Sequence, residues 1–166
     1  MTEFRRLAAD RAGSSAAEMA LVMPLLLVLM FGTFELGHYF LSEHVVQKSV
    51  RDAARYAARL PMTSYPSCVP TAAAEAQIQR MARTGRPDNG GASQRLQGWS
   101  ANNMTTVTVS CEPTGTYTGI YIEFPTGVTK VRVSAQVPYP TLLGTIGLGV
   151  PSLQLNAASE SAVYGA

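Results

Sequence analysis

Between Met19 and Phe34 the chain reads MALVMPLLLVLMFGTF, with no charge and no polar face. This run constrains the fold most, because a helix apolar on every side needs apolar surroundings. Carried on to Leu41, across Glu35 and His38, the segment is 23 residues long. As a helix it reaches about 35 Å, enough to cross a hydrocarbon core of roughly 30 Å. A core helix of a small domain normally keeps a polar face, so the membrane reading is preferred to the buried one. A secretory signal peptide would be cut at a small-x-small site after its apolar core. Gly32-Thr33-Phe34 and Glu35-Leu36-Gly37 offer no such site, and the small residues lie before the run. An anchor that is never cut stays open as an alternative.

The joint before the run is Gly13-Ser14-Ser15-Ala16-Ala17-Glu18, preceded by Arg5, Arg6 and Arg11. A carboxylate at the bilayer centre costs about 2.5–3.5 kcal/mol, and less near the interface. Near a helix N-terminus the dipole favours an anion. Were the chain cut after Gly13, Ser14 would carry a new amine four residues before Glu18. Glu18 then has two readings: partner for the amine of a neighbouring subunit, or an acid facing lipid headgroups. Pro24 removes one backbone donor inside the run. It implies a local kink or melted turn, or only a harmless bend. Glu35 and His38, three apart at the far end, mark the other interface and are placed to pair with each other.

Ser42 to Leu60 continues the helix, free of Gly and Pro until Pro61. Val46, Val50, Ala53, Ala57 and Leu60 recur at spacings of 4, 3, 4 and 3, which makes an apolar seam. The seam packs on the chain's own domain, the plainer choice, or on another subunit. Lys48 and Asp52 form an i,i+4 pair off the seam.

Pro61 to Pro70 reads as a turn-rich link, and Thr71 as the cap of a short helix from Ala72 to about Arg83. Thr84 to Ala101 reads as a loop, with Trp99 its packing anchor. Strand patterns follow at Thr105–Cys111, Tyr117–Phe124, Val128–Val137 and Leu153–Tyr164. Their alternation predicts an antiparallel sheet with one face covered by the stem helix. PYPTLLGTIGLGVP, from Pro138 to Pro151, is apolar but broken by three glycines and three prolines. It reads as a buried connection, or as a loop near the membrane or a partner.

Cys68 and Cys111 have neither CxxC nor metal spacing. A bridge between them would close a long loop, and bridges persist in oxidising compartments; two buried free thiols are the alternative. A bridge would put the C-terminal domain outside the cytoplasm. That agrees with Arg5, Arg6 and Arg11 inside, although Lys48, Arg51, Arg55 and Arg59 weaken the charge asymmetry. Net charge is +2 and the basic residues do not cluster with aromatics, which disfavours a nucleic-acid partner. There is no Walker loop, HExxH or GxSxG, and His38 and His44 both lie on the anchor helix. The sequence therefore asks for no catalytic residues, no metal and no cofactor.

The segment AGSSAAEMALVMPLLLVLMFGTFELGHYFLSEHVVQKSVRDAARYAA resembles the TadE-like family of minor pseudopilins, from the tight-adherence (Flp, type IVb) pilus systems of bacteria. The matching residues are Gly13, Glu18, Ala20-Leu21-Val22, Pro24, Leu25 to Leu27, Phe31-Gly32, Glu35-Leu36-Gly37 and Arg51 to Ala57. The resemblance covers about the first 60 residues. It implies cleavage by a prepilin peptidase between Gly13 and Ser14, with Glu18 fifth in the product. It also implies a role in pilus initiation or assembly, or as a minor pilus component. Major Flp pilins usually carry Tyr after the motif glutamate, where this chain has Met19; with the added globular domain, that points to a minor component.

The resulting expectation is an α+β, pilin-like fold: a long N-terminal helix, transmembrane and then amphipathic, on a small antiparallel sheet. Residues 1–13 are expected to be a leader, 14–60 the transmembrane and stem helix, and 61–166 a periplasmic domain. The processing residues are Gly13, Ser14 and Glu18. Subunit packing is assigned to Glu18, Pro24, Val46, Val50, Ala53 and Ala57, and a disulfide to Cys68 and Cys111. Expected partners are the prepilin peptidase, other pilins or pseudopilins, the inner-membrane assembly platform and the lipid bilayer. The expected location is the bacterial inner membrane with the N-terminus cytoplasmic. Entry into an extracellular pilus stays open. The alternative is an uncleaved single-pass anchored protein that serves binding or assembly in the periplasm.

Overall fold

A computed structural model describes residues 11–88, 90–112, 128–145, 147 and 152–165. Helix α1 (Arg11–Arg59) runs 49 residues without a break, passing through Pro24. The helix therefore holds no melted turn at Pro24. Helix α2 (Ala72–Thr84) follows two short 3-10 turns, Met62–Ser64 and Pro66–Cys68. A third such turn, Asn102–Met104, leads into strand β1 (Thr105–Glu112). Strand β2 (Val128–Pro138), the four-residue helix α3 (Leu142–Thr145) and strand β3 (Gln154–Ala162) complete the order. The expected strand at Tyr117–Phe124 lies outside the described residues.

The sheet is antiparallel in the order β1-β2-β3. Its register sets Val107 opposite Val133 and Val133 opposite Ser159. Alternation along β2 decides which face is covered: Val131, Val133, Ala135 and Val137 are buried, while Arg132 and Gln136 are exposed. Period-two strands put one set of side chains on one face, and α1 lies across that face against β2 and β3. Helix α2 packs between α1 and β1, contributing Ile78 and Ala82 to the same core.

The seam of α1 is resolved by burial. Val46, Val50, Ala53 and Ala57 are wholly inaccessible within the single chain, joined by Ser49, Ala54 and Ala58. Of the two readings of the seam, own domain or second subunit, the single chain shows these residues in its own core, covered by the sheet. Small side chains at this seam bring the helix close to the strands.

Local chemistry fixes the ends of the elements. Thr71 Oγ1 accepts the Ala74 N–H, as an N-cap should. Gly85 takes the left-handed conformation (φ 81°) that ends α2, and its N–H bonds the Met81 carbonyl. At the end of α1, carbonyls without an i+4 helical partner are met from outside the helix. Tyr65 donates its hydroxyl proton to the Ala57 carbonyl at 2.7 Å, and the Tyr164 N–H reaches the Ala58 carbonyl at 3.0 Å. Gly165 pairs with Pro61 and lies so close to the helix end that an added Cβ would come within 2.6 Å of the Arg59 carbonyl oxygen.

Tyr65 makes the fold sensitive to alkali. Burial, and then the charge of Tyr56, push its phenol from 10.0 up to about 12. The folded chain therefore holds a proton that the unfolded chain releases at lower pH. The stabilisation is complete below the unfolded value and is lost as pH rises from 10.0 towards about 12. The urea midpoint of the full chain in detergent should fall across that window, and Tyr65→Phe should flatten the fall. An identical pH profile for that variant would show that Tyr65 is not responsible.

Candidate functional site: the exposed helix and its collar

Residues 15–34 of α1 are left uncovered by the described residues. From Ser15 to Phe34 every residue is exposed, including Leu21 at 81% and Phe34 at 64%. This is the apolar stretch expected to meet lipid, and α1 is the candidate membrane span. The backbone of Gly13 and Ser14 lies in the first turn of the helix, and Glu18 and Pro24 project from it exposed. Glu18 stands beside the run, clear of the globular domain.

At Glu35 the helix meets the domain, and a polar collar forms there. The Glu35 carboxylate accepts the Leu142 N–H at 3.1 Å and the Leu143 N–H at 3.1 Å. The Tyr139 hydroxyl donates to the Glu35 carbonyl oxygen at 3.0 Å. His38 Nδ1 lies 3.0 Å from that same hydroxyl oxygen. A hydroxyl has one proton, so with it given to Glu35, His38 Nδ1 is the donor. Tyr39 completes the collar edge-on to Tyr139, with ring centroids 5.2 Å apart. Burial first, then Glu35, push the Tyr139 phenol up to about 12, which keeps it a neutral donor.

Glu35 and His38 therefore do not pair with each other as their spacing suggested. Both hold the connection between β2 and β3, roughly a hundred residues along the chain. The buried connection expected from Pro138 to Pro151 is divided among its described residues. Tyr139 is buried, while Leu142 is 43% exposed and Leu153 45% exposed. The Lys48–Asp52 pair gives way in the same manner. Asp52 takes Arg95, whose Nη1 lies 2.9 Å from its carboxylate and 3.2 Å from Ser49 Oγ. Sequence spacing lacked any signal for these partners, because none is local.

Cys68 and Cys111 are joined, with Cα atoms 5.8 Å apart. The outer face of the sheet carries an open depression of about 880 Å³ lined by Thr106, Ser134, Gln136 and Asn156 among others. Its lining offers amides and hydroxyls and no ionisable acid or base. Among the described residues no cluster of three His, Cys, Asp or Glu is placed to hold a metal.

The segment with the joint, the exposed run and the stem is thus the distinctive surface of the molecule. Residues 13–55 match the family model of the TadE-like proteins. The match opens on Gly13, spans the exposed apolar stretch and the collar residues Glu35 and His38, and ends on Arg55 within the stem. No curated protein and no solved structure matches the chain. The TadE-like segment accounts for most of α1, while the sheet and α2 that cover its distal half lie outside the match.

Proposed function

We propose that this chain is a minor pseudopilin of a tight-adherence pilus assembly system, cut between Gly13 and Ser14 by a prepilin peptidase and acting in initiation or assembly of the pilus or as a minor component of it. The observation that carries the reading is the match to the TadE-like proteins, which begins at Gly13 and continues through the apolar run. Tight-adherence pilus association is what that family implies. The exposure of α1 from residue 15 to 34 supports it, because this surface is apolar and left uncovered by the described residues. Helix α1 crosses the inner membrane with its N-terminus in the cytoplasm and delivers the domain to the periplasm, where the Cys68–Cys111 bridge is chemically at home. Glu18 and Pro24 are the residues of this helix offered to other pilins or pseudopilins and to the assembly platform. Val46, Val50, Ala53 and Ala57 serve the chain's own core.

The test is the mature N-terminus. Membranes from cells that also make the peptidase should yield a chain starting at Ser14. Gly13→Trp should abolish processing and leave a precursor heavier by the leader. Recovery of Met1 as the sole N-terminus beside an active peptidase would sink the pseudopilin reading and favour the uncleaved periplasmic anchor.

A further inference from the structure

The exposed apolar surface of α1 does not stop at Glu35. On the side away from the domain it continues through Leu36, Phe40 and Leu41, exposed at 55%, 54% and 67%. Exposed positions then turn polar at His44, Gln47, Lys48 and Arg51. Leu41 lies six residues beyond Glu35, about 9 Å along the helix axis. Side chains on a helix lean toward its N-terminus, so the Glu35 carboxylate reaches deeper still. The backbone of Leu142 and Leu143 is bonded to that carboxylate. The part of the β2–β3 connection from Tyr139 to Leu143 therefore lies at the depth of the apolar belt and not above it.

At this depth the molecule sorts its side chains by side. Glu35 and His38 turn to the connection, where their polar atoms find partners, Tyr39 sets its ring edge-on to Tyr139, and Leu36, Phe40 and Leu41 turn away. The connection itself presents Leu142 and, tied to Tyr139 by the Tyr139 N–H to Leu153 carbonyl bond at 2.9 Å, Leu153. Polar groups satisfied inside and leucines outside are what a surface in contact with lipid requires.

We propose that residues 139–143 together with Leu153 form a foot that sits in the boundary between lipid headgroups and hydrocarbon, clamped to the anchor by Glu35 and His38. The foot rests on the reading of α1 as a membrane span. It makes a second contact with the same leaflet, to one side of the helix, and so fixes the depth and rotation of the domain on the bilayer. The occupant is lipid, because the leucines continue the belt of the span at its own depth.

The full chain in phosphatidylcholine–phosphatidylglycerol vesicles tests this, with lipids brominated either near the headgroup end or in the middle of the acyl chain. Trp99 is the single native tryptophan and is wholly buried, so it gives a common baseline. Leu142→Trp and, separately, Leu153→Trp should lose fluorescence to bromines near the headgroup end more than to those in mid-chain. Phe31→Trp, within the span, should lose it mainly to mid-chain bromines. Thr108→Trp, on the outer face of the sheet, should match the native chain. If both leucine variants behave like Thr108→Trp while Phe31→Trp is quenched, the foot is overturned and the span stands; a protein surface or water then covers it. If Phe31→Trp also keeps its fluorescence, the span falls and the foot with it.

Discussion

Replacing Cys68 and Cys111 together with alanine is expected to destabilise the domain by about 4 kcal/mol. The bridge spans a sequence separation of 43 residues, and a closed loop of that size restricts the unfolded chain by about 4 kcal/mol on chain-entropy arithmetic. The closed loop contains α2, the segment 85–101 and most of β1, so the bridge ties the turn after the stem to the end of an edge strand. In the segment 61–70 Tyr65 is the one buried residue, and the 3-10 helices at residues 62–64 and 66–68 bury none of their own. Urea unfolding of the full chain in detergent, followed by Trp99 fluorescence, measures the effect. The double variant and the native chain under reductant should shift to the same lower midpoint. A midpoint unmoved by either treatment would show that the bridge contributes nothing to stability. Thiol labelling of freshly isolated, unreduced protein checks its formation in the cell, and ready labelling of both cysteines would count against a periplasmic domain.

Trp99→Ala is expected to cost about 3–5 kcal/mol, the range for removing a large aromatic from a core. Trp99 is the largest fully buried side chain, and its Nε1–H donates to Thr105 Oγ1 at 3.2 Å. Truncation leaves a cavity and takes away the donor facing a hydroxyl that is only 2% exposed. The loop before it buries Leu96 and is otherwise pinned by arginines: Arg80 to the Pro87 carbonyl, Arg83 to the Ser100 carbonyl and Arg95 to Asp52. Those exposed or half-buried bonds do not replace a core anchor. Hydrogen exchange of the β1 and β2 amides should quicken strongly in Trp99→Ala, less in Trp99→Phe, and hardly at all in Thr108→Ala on the exposed face. Equal exchange in Trp99→Ala and Thr108→Ala would reduce Trp99 to a bystander.

Much of this architecture was legible because it is local. The Thr71 cap, the alternation from Val128 to Val137 and the seam at Val46, Val50, Ala53 and Ala57 each follow from periods of 2 or 3.6 read over a few residues. Trp99 as a loop anchor followed from one large apolar residue in a polar stretch. The polar partners were not legible. Glu35 and His38 sit three apart and look like a pair, yet each bonds to the connection near Tyr139 and Leu142. Asp52 has Lys48 one turn away and takes Arg95 from a distant loop. Helical spacing brings two side chains to one face but does not say what packs upon that face.

The sequence by itself determined that α1 carries an all-round apolar stretch after a glycine–glutamate joint, and that a small antiparallel sheet follows. Those are properties of composition and period, set before any long-range contact forms. Only the tertiary structure decided that the small-residue seam lies in the chain's own core and that Tyr139, Leu142 and Leu143 are bonded to Glu35. The physical reason is the same in both cases. Burial and hydrogen-bond satisfaction depend on which surfaces meet, and here residues a hundred positions apart meet at Glu35, His38 and Tyr139.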